Sequence, residues 1–191
     1  SRLVPVAAAL PGLLVEIARA LGAQVVMSHL SAAPFVDLRL DDGDLLIVGD
    51  LRIQAMATPG HTADSTCLVV KADNGQHVFT GDTLLMGGTG RTDLPTGDPE
   101  RLYESLFDKL LKLDPATQIH PAHEYKGRTG STIGEEIASN PRLQKTDRAE
   151  FVATATAKDK DSIETRFGKM DADNDGKITE DEFNKLTAAE K

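Results

Sequence analysis

The sequence predicts a mixed α/β domain followed by a small all-α unit. Short runs of β-branched and apolar residues alternate with turn signals through the first 125 residues, as in TCLVVKA and QHVFTGD around Asp73-Asn74-Gly75. Two longer segments, which begin at Pro11 and Pro99, repeat apolar residues with a helical period instead. Near the C terminus an acidic stretch, Asp171–Glu182, stands apart from this pattern and is flanked by apolar residues at helical spacing.

The first half of the domain is predicted to contain one helix and four strands. Pro11 suits the first position of a helix that ends at Gly22. The apolar face of this helix is expected to consist of Leu13, Leu14, Ile17, Ala18 and Leu21. A short buried strand over 23–28 follows, then a hairpin of residues 35–40 and 45–49, and then a strand over 51–57 that ends at Thr58-Pro59-Gly60.

The second half is predicted to continue with a hairpin, a long loop, a helix, a strand and a last helix. The hairpin joins strands 66–72 and 76–82 through Asn74-Gly75, which supplies the positive φ angles of a tight turn. The Gly-, Pro- and Thr-rich loop 86–98 is too long for a simple connector. Asp98 is predicted to cap a helix over 99–113 with Leu102, Leu106, Leu110 and Leu113 inward. A strand over 117–122 and a helix beginning near Ser131 complete the domain. We expect this domain to span 1–147, followed by a helical or flexible linker over 148–161 and a separate unit over 162–191.

Charge and composition exclude several classes of function. The chain has 191 residues and a formal net charge of −9, so it offers no electrostatic argument for nucleic acid or an anionic membrane as a partner. No apolar run approaches membrane-spanning length. Cys67 is the only cysteine, which excludes an intrachain disulfide and a thiolate-cluster metal site. Because the first residue is Ser1, we expect a processed, trimmed or partial chain, and any targeting segment would be absent from it.

Three short motifs supply residue types that bind a hydrolytic or redox metal. They are TPGHT with His61, FTGD with Asp82 and PAHEYKG with His123, and each follows a predicted strand. Two imidazoles and a carboxylate suit zinc, iron or manganese. His29, His77 and His120 are expected to be ordinary polar residues, because nothing around them repeats this joint pattern.

The ordered motifs from about Gly12 to Leu143 resemble the C-terminal two-thirds of a metallo-β-lactamase-fold protein, and within that superfamily they resemble the persulfide dioxygenases most closely. The discriminating segments are Gly90-Arg91-Thr92-Asp93, the LYESL of the long helix, His123–Gly127, Ser131–Glu136 and Asn140–Leu143. The resemblance implies an αββα sandwich, incomplete at its N-terminal end. Glyoxalase II, a thioester hydrolase of the same fold, shares the early motifs and typically diverges in the later ones.

The resemblance also implies an activity and a set of roles. The enzymes of this family oxidise glutathione persulfide with dioxygen to sulfite and glutathione, using one Fe(II) held by two histidines and an aspartate. By this resemblance His61 and Asp82 are iron ligands, His123 is a residue of the catalytic pocket beside the metal, and Arg91 and Tyr125 line the thiol-substrate pocket, Tyr125 also being a catalytic candidate. Arg91 would pair with a glutathione carboxylate. Zinc is the alternative metal, and the expected compartment is the mitochondrion, or otherwise the cytoplasm.

One family motif has no counterpart in this sequence. The first metal motif, His-x-His-x-Asp-His, should precede the helix near Gly12, where the chain has SRLVPVAAAL. A partial chain, a pseudoenzyme and completion of the site by another chain are the three explanations. Because two ligands of three rarely hold iron firmly, we expect weak or no activity from the 191 residues.

The acidic C-terminal stretch DADNDGKITEDE matches the EF-hand calcium loop at every position. Its oxygen ligands are expected from Asp171, Asp173, Asp175, the Lys177 carbonyl and Glu182. A single hand is visible, so it is expected to pair with another copy, dock on the domain or bind weakly. The sequence therefore supports three hypotheses: a persulfide dioxygenase-like enzyme with a calcium-binding tail, a glyoxalase II-like hydrolase, or a non-catalytic calcium-binding protein on a degenerate scaffold.

Overall fold

A five-stranded mixed sheet lies at the centre of the computed structural model, which describes residues 11–125, 127–157 and 179. Its strand order is β3-β4-β5-β6-β9, with every neighbouring pair antiparallel except β6 and β9, which are parallel. The strands are β3 (Leu45–Val48), β4 (Leu51–Ala57), β5 (Thr66–Ala72), β6 (Gly75–Gly81) and β9 (Gln118–Pro121). The turn at Asp73-Asn74 joins β5 to β6 with Ala72 opposite Gly75, which confirms the predicted hairpin. Of the Asn74-Gly75 pair, however, only Gly75 has the predicted positive φ, at +125°.

One face of this sheet packs against a helix to form the main core. Cys67, Val69, Val78 and Ile119 lie in one cluster with the leucines of that helix. The helix begins as α2 (Pro99–Tyr103), continues as a π-helical segment (Glu104–Lys109) and ends as a 3₁₀ turn (Leu110–Lys112). Its three core leucines, Leu102, Leu106 and Leu110, are all 0% exposed. Burying each contributes about 2 kcal/mol or more.

The N terminus of α2 is capped as the sequence predicts. The Asp98 carboxylate accepts hydrogen bonds from the backbone N–H groups of Glu100 and Arg101 at 2.9 and 3.1 Å. Such a cap satisfies donors that have no partner within the helix and contributes about 1 kcal/mol. The cap also fixes where the helix starts relative to the preceding loop.

The predicted hairpin between residues 35–40 and 45–49 is wrong. The strand β2 (Leu38–Leu40) pairs in parallel with β1 (Val26–Ser28) in a separate two-stranded sheet, whereas β3 forms a hairpin with β4. The reversal falls at Gly49, whose φ of +61° suits glycine, rather than at the acidic turn before β3.

The first helix, α1 (Pro11–Ala20), ends before Gly22 as predicted, but its inward face differs from the prediction. Val15 and Ala18 are buried against Val25, while Ile17 and Leu21 are 38% and 48% exposed. The described side chains of α1 place Val15 and Ala18 in this small cluster, and the predicted Leu13 and Leu14 side chains lie outside the described part of the structure.

The C-terminal part of the described chain belongs to the same core. The helix α3 (Ile133–Ser139) buries Ile133, and residues 148–157 are also helical. Phe151 and Ala155, four positions apart on one helical face, are buried in the main cluster. The folded domain therefore extends through the first part of the predicted 148–161 linker. Within the described ranges no helix has the length and apolarity needed to cross a membrane.

Candidate functional site

The three side chains singled out by the sequence meet at one edge of the central sheet. His61 follows β4, Asp82 follows β6 and His123 follows β9. Because β4, β6 and β9 run in the same direction through the alternating sheet, their C-terminal ends lie at one edge. The topology thus explains why three motifs separated in sequence converge in space.

His61 is held in one orientation by the backbone. Its Nδ1 lies 2.8 Å from the carbonyl oxygen of Arg91, which can only accept, so Nδ1 carries the proton and donates. In its neutral form the ring then presents the lone pair of Nε2, which lies 3.6 Å from Asp82 Oδ2. Both side chains are about four-fifths buried, at 19% and 22% exposure.

Asp82 divides its two oxygens between the two histidines. Its Oδ1 accepts a 2.7 Å hydrogen bond from Nδ1 of His123, which leaves Oδ2 on the side of His61. His123 is half exposed, and its ring stacks on that of Tyr125 with centroids 5.8 Å apart and an interplanar angle of 6°. His123 thus orients Asp82, and Tyr125, 76% exposed, covers one face of His123.

His61 and Asp82 fit two positions of a metal site. Nitrogen and oxygen ligands at about 2.1 Å from one ion lie roughly 3.0 Å apart at a right angle and roughly 3.4 Å apart in a tetrahedron. The 3.6 Å between Nε2 and Oδ2 needs only a small contraction to satisfy either geometry. In the parts of the chain that the structure describes, no group of three or more His, Cys, Asp and Glu side chains could hold a metal ion. The described residues therefore contain a two-donor portion of the predicted site.

The remaining histidines lie outside this portion. His29 pairs with Asp41 through Nδ1 at 2.6 Å. His77 and His120, on β6 and β9, share a 3.0 Å hydrogen bond between Nδ1 and Nε2. Burial, together with the neighbouring His77, lowers the pKa of His120. The described hydrogen-bond partners of these three histidines are Asp41, Asn74 and one another, and none of them is His61, Asp82 or His123.

One close backbone approach and two hydrogen bonds fix the turn that carries His61. At Gly60 a Cβ would lie 2.4 Å from the Cα of Leu102, so the turn sits directly on α2. The amide of Asp98 donates to the Gly60 carbonyl at 2.8 Å, and Ser105 Oγ donates to the Pro59 carbonyl at 2.6 Å. Asp98 therefore both caps α2 and bonds to the turn that carries His61, so the position of this turn depends on the start of the helix.

Behind the turn lies a buried group of hydroxyls and the single thiol. Thr58 Oγ1 is 3.2 Å from Cys67 Sγ and 3.0 Å from Thr83 Oγ1. Cys67 is 0% exposed, and burial raises the pKa of its thiol to about 11. The group packs the base of the site and leaves the thiol protonated.

The substrate residues predicted from the sequence occupy two different settings. The Arg91 guanidinium pairs with the Asp93 carboxylate, whose side chain is only 5% exposed, while the Arg91 carbonyl orients His61. Tyr125 lies at the open side, against His123. The structural role of the Arg91 carbonyl could not be predicted from the side-chain pattern, because every residue carries the same group.

The predicted calcium ligands, Asp171, Asp173, Asp175, Lys177 and Glu182, lie outside the described residues.

Comparison with known proteins identifies the relatives of this arrangement. A family model described as the metallo-beta-lactamase superfamily matches residues 5–123. The human protein named persulfide dioxygenase ETHE1, mitochondrial, is 42% identical over 122 residues, which are 64% of this chain and 47% of the human protein. The crystal structure of ETHE1 from Myxococcus xanthus matches with a TM-score of 0.69 and 39% identity, covering 74% of this chain and 60% of that one.

A further solved structure, of TTHA1623 in a di-iron-bound form, matches with a TM-score of 0.53 and 30% identity, covering 68% of this chain and 70% of that chain. The present chain spans about half the length of the curated relatives it matches.

Proposed function

This chain belongs to the metallo-β-lactamase superfamily, and from that premise we propose that it carries part of a persulfide dioxygenase. The proposed reaction is that of glutathione persulfide with dioxygen and water to give glutathione, sulfite and two protons. The terminal sulfur loses four electrons, which reduce one dioxygen, and the S–S bond breaks so that the inner sulfur leaves as the thiol. The similarity to the human and Myxococcus relatives supports this proposal.

The observation that carries the proposal is the division of Asp82 between two histidines. Asp82 Oδ2 faces His61 Nε2 at 3.6 Å, and Asp82 Oδ1 accepts from His123 at 2.7 Å. In this arrangement His123 is a hydrogen-bond donor to a ligand rather than a ligand, which suits a single metal held by His61 and Asp82. A hydrogen-bonded carboxylate is also a fixed carboxylate, and such outer contacts commonly determine metal affinity.

Iron is the metal that the proposal implies, with His61 and Asp82 as two of its ligands. When bound, ferrous iron supplies the one-electron chemistry that allows dioxygen to react with a persulfide. The protein residues would position the ligands and bind the substrate. His123 would hold Asp82, while Arg91, fixed by Asp93, would contact a carboxylate of the glutathione portion, and Tyr125 would line the open side of the pocket.

The proposed iron site needs a third protein ligand. A facial triad contains two histidines and one carboxylate, and the described donors number two. The sequence contains no His-x-His-x-Asp-His motif. The complete activity is therefore proposed for a protein in which this segment accompanies the present residues.

Metal analysis combined with oxygen uptake tests the proposed function. We would load the chain, alone and preceded by the corresponding segment of the Myxococcus relative, with Fe²⁺ under anaerobic conditions and measure iron content and persulfide-dependent oxygen consumption. One iron per extended chain, sulfite as its product, and loss of both iron and activity in the His61→Ala variant of the extended chain would support the proposal. His29→Ala is the matched control, since His29 pairs with Asp41 elsewhere. An extended chain that folds and binds iron yet consumes no oxygen with a persulfide would contradict it.

A dinuclear hydrolase of glyoxalase II type is the second candidate, favoured by the di-iron-bound relative. It would require His123 to leave Asp82 Oδ1 and bind a second metal ion. Two metal ions per chain and hydrolysis of a glutathione thioester would identify this alternative. Calcium without iron or zinc would instead identify a non-catalytic calcium-binding protein.

We propose, in addition, that Asp171, Asp173, Asp175, Glu182 and the Lys177 carbonyl bind one Ca²⁺ in an EF-hand loop. The support is the match of the sequence to the loop pattern at every position. Titration with Ca²⁺, followed by calorimetry, should show one site per chain that Glu182→Gln weakens strongly. Mass spectrometry of the intact protein with and without Ca²⁺ would show whether two copies pair through this unit.

The mitochondrial compartment of the human relative is the proposed location.

A further inference from the structure

A fully buried carboxylate lies on α3, away from the candidate ligands. Glu136 is 0% exposed, and its Oε2 accepts a 2.7 Å hydrogen bond from the backbone amide of Gly87. Its Oε1 accepts from Ser131 Oγ at 2.6 Å and from Arg128 at 3.1 Å. The proposed reaction does not use this group, so its burial needs a separate explanation.

Asn140, one helical turn after Glu136, extends the same contact. It is also 0% exposed, and its Nδ2 lies 2.8 Å from Glu136 Oε2 and 3.0 Å from the carbonyl oxygen of Gly88. Residues four apart share one face of a helix, so Glu136 and Asn140 present a donor and an acceptor side by side. Together they bind the backbone N–H of Gly87 and the backbone carbonyl of Gly88, which belong to the same short segment.

That segment is the hairpin of β7 (Leu84–Leu85) and β8 (Gly88–Thr89), which directly links Asp82 to Arg91. Its exit is tightly confined, because a Cβ at Gly90 would lie 2.0 Å from the Asp82 carbonyl oxygen and 3.0 Å from His61 Nδ1. The next residue, Arg91, accepts the Nδ1–H of His61 at 2.8 Å. Displacement of the hairpin would therefore move the group that orients His61.

We propose that Glu136 and Asn140 are positioning residues, which hold the β7–β8 hairpin so that the Arg91 carbonyl keeps His61 in the tautomer whose Nε2 can bind a metal. The inference rests on the proposed function for its relevance to metal binding, and on the hydrogen-bond geometry for the tautomer itself. Neither residue touches the metal ligands directly.

The chemistry of the contact favours positioning over simple stabilisation. A buried carboxylate loses much hydration energy, and a buried ion pair seldom stabilises more than apolar packing of the same volume. Directed hydrogen bonds to an amide and a carbonyl, however, fix both the distance and the angle of a backbone segment. Apolar side chains would hold the hairpin against α3 without defining its register.

Two measurements on the 191-residue chain test this inference. Nitrogen-15 chemical shifts of the histidine rings report the tautomer of His61 without any metal, and titration with Co²⁺ reports affinity and ligand geometry through its visible absorption. The variants are Asn140→Ala and the nearly isosteric Glu136→Gln. The matched control is Ser131→Ala, which removes a hydrogen bond to the same carboxylate but no contact with the hairpin.

In the wild type we expect His61 to be protonated at Nδ1. In Asn140→Ala and Glu136→Gln we expect a mixture of tautomers and a Co²⁺ affinity about tenfold lower, with an altered absorption spectrum. Ser131→Ala should lower stability while changing neither measurement by more than about twofold. If both test variants match Ser131→Ala in tautomer and affinity, the inference is wrong, whatever their stability. Should Asn140→Ala fail to fold, Glu136→Gln alone decides.

Failure of the proposed function gives a different result. If neither the wild-type chain nor the chain preceded by the corresponding segment of the Myxococcus relative binds Co²⁺, but Glu136→Gln still disturbs the His61 tautomer, the metal assignment fails and the positioning role stands.

Discussion

Replacing Gly90 with alanine should break the hydrogen bond between His61 and the Arg91 carbonyl, which orients the His61 ring. The added Cβ would lie 2.0 Å from the Asp82 carbonyl oxygen, and Cβ contacts below 3.0 Å essentially do not occur. The backbone must therefore move by at least about 1 Å. Since Gly90 directly precedes Arg91, the 2.8 Å hydrogen bond from His61 to the Arg91 carbonyl would be stretched beyond bonding distance.

The expected magnitude has two parts. Overpacking of a close backbone contact costs about 1–3 kcal/mol, and the lost hydrogen bond adds about 1 kcal/mol. For a chain of this size the sum corresponds to a decrease in Tm of roughly 5–15 °C. Metal affinity should fall about 10- to 100-fold, as it does when an outer partner of a metal-binding histidine is lost.

Thermal unfolding and Co²⁺ titration of Gly90→Ala, compared with Gly130→Ala, provide the assay. Gly130 has no atom within 4 Å of its Cβ position, so the same change there should alter neither property appreciably. Equal Tm values and equal Co²⁺ affinities for the two variants would refute the reasoning.

Three further predictions concern the metal content, the C-terminal helix and the response to acid. The 191-residue chain should retain well under one iron per molecule after desalting, because its described donors number two; elemental analysis near one would contradict this. Phe151→Ala should lower the free energy of unfolding in urea by about 3–5 kcal/mol, because it leaves a cavity in the core. The control Thr154→Ala, at an exposed position of the same helix, should change it by less than about 0.5 kcal/mol. Similar values for the two variants would contradict the placement of residues 148–157 in the core. Because the folded pKa of His120 lies below its ordinary 6.5, the unfolded chain binds a proton more readily, so stability should fall as pH drops from about 6.5 through the folded pKa. His120→Gln should reduce this loss in pH-dependent unfolding experiments, and His29→Gln is the control; identical pH profiles would argue against it.

The edge of the sheet that carries His61, Asp82 and His123 could be predicted because strand ends and turn residues leave local signals. The strand β4 ends before the Pro59-Gly60 turn as expected from the sequence. The ends of β6 at Gly81 and of β9 at Pro121 each lie one residue before the predicted end. The alternation of β4, β5 and β6, which Asn74-Gly75 helps to determine, then places the side chains that follow at a common edge.

Other features depended on contacts between distant segments. The pairing of β2 with β1 could not be predicted because the acidic turn before β3 resembles a hairpin turn, while Gly49 determines the actual reversal. Phe151 and Ala155 lie in a polar segment whose composition resembles a linker, and only their four-residue spacing indicates a buried face. Glu136 was part of a recognised motif, but nothing local shows that its carboxylate bonds to a hairpin 49 residues earlier.

The burial of Cys67 has a chemical consequence for a protein proposed to handle persulfides. Persulfides and disulfides exchange sulfur with thiolates, and the reacting species is the ionised thiol. The only thiol of this chain is fully buried and has a pKa of about 11, so almost none of it is ionised near neutral pH. Through this thiol the chain would therefore neither take sulfane sulfur from a persulfide nor form mixed disulfides with glutathione. Within these 191 residues, a pool of reactive sulfur would therefore meet no ionised cysteine.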